Sequence, residues 1–254
     1  MNRVNKVADI LGIIPARYAS SRFPGKPLVK IKGKPMIQWV YERASAHFSH
    51  LVVATDDRQI MEGVSRFGGR VFMTSSQHRS GTERCMEALH LFEKQQNRQF
   101  SHVVNIQGDE PLIRKEQLKE LTDCFEDPVV DIATLIQPMQ HGDEITDPNI
   151  VKVVVDQQYR ALYFSRAVIP CPGNGKRGQG PSGHTYFRHV GIYGYRSDVL
   201  KRIVTLPPSP LETMESLEQL RWMEHGFRIQ TRITGYSSRG VDTPEDLERI
   251  RSQF

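Results

Sequence analysis

The sequence predicts an α/β fold: a Rossmann-like, mixed but mainly parallel sheet, flanked by helices and carrying a smaller β-rich excursion. Three observations predict it. The apolar runs Ile10–Ile14, Leu51–Thr55 and His102–Ile106 are short and continuous, as strands buried on both faces should be. Segments with helical spacing lie between them. Past residue 127 that rhythm gives way to strand-like runs with few helices between.

Taken in order, Ile10–Ile14 is the first strand, and a long loop runs from Pro15 to Leu28. Pro35 suits the first turn of a helix with Met36, Ile37, Val40 and Ala44 on one face. Leu51–Thr55 is the next strand and stops at Asp56-Asp57. A helix over 59–67 is closed by Gly68-Gly69, Val71–Met73 is a short strand, and Ser80 or Thr82 caps a helix through Ala88, Leu89 and Phe92. The strand at 102–106 ends in Gln107-Gly-Asp-Glu-Pro. Runs at 129–136, 151–155, 159–164 and 189–195 form the mixed or antiparallel part. Residues 171–183, rich in glycine and proline, read as a mobile loop. A helix is expected over 211–224, a last strand over 227–233, and a terminal helix capped by Thr243 with Pro244 at its first position and Asp246 completing a capping box. The chain reads as a single domain, 1–254, with one half over 1–127 and another over 128–254.

The loop after the first strand carries the strongest chemical signal. In parallel sheets ligands bind beyond the carboxyl ends of the strands. This loop places Arg17, Arg22 and Lys26 there with no acid among them, stiffened by Pro15, Pro24 and Pro27. About 15 residues is long for a strand-to-helix connection, where roughly 2 to 6 is usual, and long loops of this kind are often functional. Three cations on a stiffened loop point to a polyphosphate. The spacing is not that of a Walker loop, and no Gly-x-Gly-x-x-Gly follows the strand, so side chains must hold the phosphates.

Asp109 follows a strand and a glycine, so its carboxylate can face the same crevice. A nucleoside triphosphate needs Mg²⁺, which takes one or two carboxylates, and Asp109 is the first candidate ligand. Asp242 is the second, provided the end of the chain folds back. Lys26 and Arg17 are the candidates for the α-phosphate, with Arg22 on the outer phosphates. Arg166, just after the run 161–165, offers a guanidinium fork suited to a carboxylate.

Composition narrows the classes. The 254 residues are 38% hydrophobic with a net charge of +5, and no apolar run approaches the length that spans a bilayer. No leader-like apolar segment follows Met1, so a cytoplasmic location is expected without a membrane partner. Cys85, Cys124 and Cys171 are odd in number and far apart, matching neither a disulfide framework nor a zinc site. The cations are scattered with no aromatic-basic pattern, which argues against nucleic acid; an anionic small substrate accounts for them as well.

Pro15-Ala-Arg-Tyr-Ala-Ser-Ser-Arg-Phe-Pro-Gly-Lys-Pro-Leu28, with Ala54-Thr-Asp-Asp57, Ser80-Gly-Thr-Glu-Arg84, Gln107-Gly-Asp-Glu-Pro111, Ala161–Arg166, His189–Tyr195, Leu217–Arg221 and Gly240–Asp246, resembles the 3-deoxy-manno-octulosonate (Kdo) cytidylyltransferase family in order and over nearly the whole chain. The resemblance implies transfer of CMP from CTP to the anomeric hydroxyl of Kdo, with release of diphosphate. It further implies Mg²⁺ on Asp109 and Asp242, lipopolysaccharide precursor synthesis, and a cytoplasmic homodimer whose 128–254 half binds sugar and dimerises. Ala16, Arg17, Arg22, Lys26, Thr55, Asp56, Ser80, Gly81, Thr82, Arg84 and Asp109 correspond to nucleotide positions. Gln107, Arg166, His189, Tyr193, Glu218 and Gln219 correspond to sugar positions. Another acidic sugar, a sialic acid or 8-amino-Kdo, is the alternative substrate.

Overall fold

The computed structural model describes residues 9–19, 23–139, 142–171, 184–237 and 240–254. The first apolar run forms β1 (Ile10–Ala16). A hairpin of β2 (Lys30–Ile31) and β3 (Lys34–Pro35) follows, then α1 (Met36–Ser45), β4 (His50–Thr55), α2 (Arg58–Arg66), β5 (Val71–Met73), α3 (Gly81–Gln96), β6 (His102–Asn105) and α4 (Lys115–Asp123). Next come β7 (Ile132–Pro138), α5 (Gly142–Thr146), β8 (Lys152–Val155), β9 (Ala161–Ser165), β10 (Phe187–Arg196), α6 (Ser197–Ile203), α7 (Pro210–Glu215), α8 (Glu218–Glu224), β11 (Ile229–Ile233) and α9 (Pro244–Arg251). Two compact units result: residues 1–119, 194–204 and 238–254, and residues 120–193 and 205–237. The sequence reading drew its halves at residue 127; these units are bounded differently, with residues 238–254 in the first.

In that unit the strands run parallel in the order β6-β1-β4-β5, with Ile13 opposite Val52 and Ile10 opposite His102. Ile10, Leu11, Ile13 and Ile14 are all buried, as a central strand covered on both faces requires. Each such side chain contributes about 1.5–3 kcal/mol by leaving water. The terminal segment is fastened by a second apolar cluster in which Ile31 and Met36 pack against Val241, Leu247 and Ile250, with Trp39 and Phe254 at its margin. The expected capping box of α9 is present: the Asp246 N–H donates to Thr243 Oγ1 at 3.3 Å, and the Thr243 N–H donates to the Asp246 carboxylate at 3.0 Å.

In the second unit β7 and β11 pair in parallel, while β10, β8 and β9 form an antiparallel set. The helix expected over 211–224 is two helices. Ser216 adopts a left-handed conformation (φ 53°) that terminates α7, and Leu217 is extended before α8 begins. The break leaves Met214 83% exposed while Leu220 stays buried, so the two do not share one buried helix face. Helices α4, α5 and α6 were not read from the sequence.

Candidate active site

The crevice is assembled at the carboxyl ends of β1 and β6, wholly within the first unit. Gly25, at φ +72°, donates its N–H to the Tyr18 carbonyl at 2.9 Å and opens a single 3₁₀ turn, Lys26–Leu28, that turns Lys26 inward. Beyond β6, a Cβ at Gly108 would lie 3.0 Å from the Pro15 carbonyl oxygen, so only glycine lets the Asp109 turn come this close to β1. The buried Val241 carries Asp242 to the same place, and its N–H donates to the Asp109 carbonyl at 2.9 Å.

The three chemically suggestive residues therefore meet. The Lys26 ammonium donates to Asp109 Oδ2, to the Val241 carbonyl at 3.0 Å and to Asp242 Oδ1 at 3.2 Å. The surrounding space, about 290 Å³, is lined also by Ala16, Arg17, His78, Arg79, Ser80, Gly81, Arg84 and Gln107. Four Lys or Arg side chains thus face two carboxylates there, an excess suited to a polyphosphate.

Asp109 and Asp242 share one ammonium, so both carboxylates lie within the span of a single cation. Mg²⁺ takes one or two carboxylates and fills its octahedron with water and phosphate oxygens, and this donor set fits it. Among the described residues no group of three or more His, Cys, Asp or Glu could hold a metal unaided, so an ion here needs the phosphates as well.

The remaining nucleotide candidates divide. Ser80 caps α3, accepting the Glu83 N–H at 3.2 Å, and Gly81 opens the helix. Arg84 reaches the crevice, but its guanidinium donates to Asp56 Oδ2 at 2.7 Å and to Thr74 Oγ1 at 2.6 Å. That clamp occupies Asp56. Thr55 is buried with its hydroxyl accepting the Asp57 N–H at 3.2 Å, and Thr82 is buried too; Thr55, Asp56 and Thr82 are not among the crevice lining. Arg22 and most of the 171–183 loop lie outside the described residues.

His78 and Arg79 line the crevice and were not singled out from the sequence. Two glutamates one turn apart on α3 hold their loop. Glu87 Oε2 accepts from the Ser75 N–H at 2.8 Å and meets His78 Nε2 at 2.5 Å, while Glu83 accepts the Arg79 N–H at 2.7 Å. Burial alone would raise the Glu87 carboxyl, but the Ser75 N–H and His78 outweigh it and hold it below the usual carboxylate range. Glutamates spaced i, i+4 directly after Ser80-Gly81 were the available signal.

Of the sugar candidates, Gln107 is in the first unit and lines the crevice; the other five are in the second. His189, Tyr193 and Trp222 form an aromatic series, with ring centroids 5.2 Å and 5.1 Å apart, and Phe164 stands 5.1 Å from His189. The Thr134 hydroxyl donates to the Ile192 carbonyl at 2.8 Å, which leaves its oxygen to accept from His189 Nε2 at 3.0 Å. Burial in this packing lowers the His189 pKa to about 3, so the ring is neutral at pH 7. Burial, reinforced by the Glu218 charge, raises the Tyr193 hydroxyl well above its ordinary value. Gln219 is 5% exposed, and among the described residues nothing accepts from its Nε2. Arg166 is held at the end of β9 by the end of α7.

The His189 pKa sets an expected result. An unfolded histidine takes up its proton near pH 6.5, whereas folded His189 stays neutral down to about 3. Stability due to this group is complete above pH 6.5 and falls by about 1.4 kcal/mol per pH unit below it. Thermal melts of His189→Gln between pH 7 and pH 5 should decline less steeply than those of the unsubstituted protein; parallel declines would refute a buried neutral ring.

Residues 11–233 match the cytidylyltransferase family. A 3-deoxy-manno-octulosonate cytidylyltransferase of Phocaeicola vulgatus is 51% identical over 245 residues, 95% of this chain and 96% of the relative. One from Thermodesulfovibrio yellowstonii is 50% identical, covering 93% and 94%. A solved CMP:2-keto-3-deoxy-manno-octonic acid synthetase complexed with CTP superposes with a TM-score of 0.87 at 44% identity, covering 96% of this chain and 97% of that one.

Proposed function

The chain belongs to the 3-deoxy-manno-octulosonate cytidylyltransferases, and from that premise we propose that it transfers CMP from CTP to the anomeric hydroxyl of Kdo. The sugar oxygen forms the new bond to the α-phosphorus as the bond to diphosphate breaks, giving CMP-Kdo. The observation that carries the reading is the meeting of Lys26, Asp109 and Asp242 in a crevice with excess positive charge.

Each residue's work follows from its place. Arg17 and Lys26 neutralise charge on the α-phosphate, where it shifts in the transition state, while Ser80 and Gly81 present the start of α3 to the nucleotide. Asp109 and Asp242 would hold Mg²⁺, which would supply neutralisation of phosphate charge and of the diphosphate leaving group. In the second unit Arg166 grips the sugar carboxylate, and Gln219, whose Nε2 has no acceptor among the described residues, and the ring edges of His189 and Tyr193 meet its hydroxyls. Held neutral, His189 adds no second cation to compete with Arg166.

The product serves lipopolysaccharide synthesis in the cytoplasm, and the working form is a homodimer built through the second unit, where Leu162 and Met214 are exposed. No described helix is long and apolar enough to cross a membrane. Diphosphate release from CTP and Mg²⁺ with Kdo, a sialic acid or 8-amino-Kdo tests the substrate. Release that depends on Kdo is expected; no release with Kdo, or faster release with either rival sugar, overturns the assignment.

A further inference from the structure

A buried cation stands behind Arg166. Lys152, on β8, is 0% exposed, and its three ammonium donors go to the carbonyls of Asp147 at 2.8 Å, Ile150 at 2.6 Å and Arg166 itself at 2.6 Å. A buried ammonium is costly to retain, and an apolar side chain would fill the same space without that cost. Arg166 is then fixed at three further atoms. Its N–H donates to Glu215 Oε2 at 3.0 Å, its Nε to the Glu215 carbonyl at 2.9 Å, and one terminal nitrogen to the Pro148 carbonyl at 3.1 Å. Glu215 Oε1 accepts from the Ser165 hydroxyl at 2.6 Å, so both its oxygens are engaged. The charges of Lys152 and Arg166 are met by those of Glu215 and Asp147, both of which act on the Lys152 ammonium, and the second terminal nitrogen of Arg166 is unclaimed among the described residues.

We propose that Lys152 is a positioning residue for the acidic sugar: it locks Arg166 through its carbonyl and so aims the guanidinium by which the site selects a carboxylate. The inference rests on the Kdo reading above. Glu215, at the end of α7 and three residues before Glu218, ties the locked guanidinium to the segment that carries two further sugar candidates, Glu218 and Gln219.

The test compares Kdo with its carboxamide in the unsubstituted protein and in Lys152→Met, which keeps the length of the side chain and drops its charge. The KM for Kdo should rise about tenfold to a hundredfold, as misplacement of a substrate-gripping group does, with the KM for CTP unchanged. The preference for Kdo over the carboxamide should fall by a similar factor, and Lys152→Met should add little in an Arg166→Gln background. If Lys152→Met does not fold, Lys152→Gln, which is uncharged and one bond shorter and so cannot hold all three carbonyls, is read in the same way. An unchanged preference for the carboxylate, or losses that multiply with Arg166→Gln, overturns the inference alone. Unsubstituted protein that consumes no Kdo overturns the functional reading and this inference with it.

Discussion

Asp109→Asn is expected to lower turnover by about a hundredfold to a thousandfold while leaving the protein folded. The substitution keeps the side chain's volume and one acceptor and removes the negative charge. Charge stabilisation by a catalytic metal is worth several kcal/mol in the transition state, and 1.36 kcal/mol corresponds to tenfold in rate. Asp109 is the more enclosed of the two carboxylates, with its side chain 26% exposed against 45% for Asp242. Solvent screens Asp242 more, so Asp242→Asn should cost only about tenfold. Diphosphate release measured across a Mg²⁺ titration separates the cases: both variants should need more Mg²⁺, Asp109→Asn the more. A full rate for Asp109→Asn at the usual Mg²⁺ concentration would remove Asp109 from the metal site.

Lys26→Met should produce two effects of opposite sign. Turnover falls by about a hundredfold or more, because a charge-assisted contact made chiefly in the transition state is lost along with the geometry it holds. The nucleotide-free protein, however, should bind Mg²⁺ more tightly than before. The Lys26 ammonium, 14% exposed, is the cation lying between Asp109 and Asp242, and without it two carboxylates confront one another. Without metal the melting temperature should drop by about 2–6 °C, corresponding to roughly 1–2 kcal/mol in a chain of this size, and Mg²⁺ should restore it. Equal stabilisation of variant and unsubstituted protein by Mg²⁺, or undiminished turnover, would refute the bridging role of Lys26.

Much of the site was legible because its signals are local. A basic, proline-stiffened loop directly after a buried strand marks a ligand position whatever the rest of the chain does. Ser80 ahead of α3 and Thr243-Pro244 ahead of α9 are caps, and capping is decided over about four residues. The residues that stayed hidden depend on partners far away in sequence. Arg84 reads as a free cation until Asp56 and Thr74 are seen to occupy it. Arg79 and His78 read as ordinary loop until Glu83 and Glu87 are seen to hold them against the crevice. The helix expected over 211–224 failed for a local reason too weak to read: a single serine in the left-handed region, where glycine or asparagine is the usual sign.

By itself the sequence determined the β-loop-α order, the buried central strands, the cations of the first loop and the family to which the chain belongs. Those depend on periodicity, capping and motif spacing, all of which act over a few residues. Only the tertiary structure decided that Asp242 reaches Asp109, that Lys26 bridges them, and that Lys152 stands behind Arg166. The meeting of Asp242 with Asp109 depends on Val241, Leu247 and Ile250 settling against Ile31 and Met36, and the hydrophobic effect that drives this has no direction and names no partner.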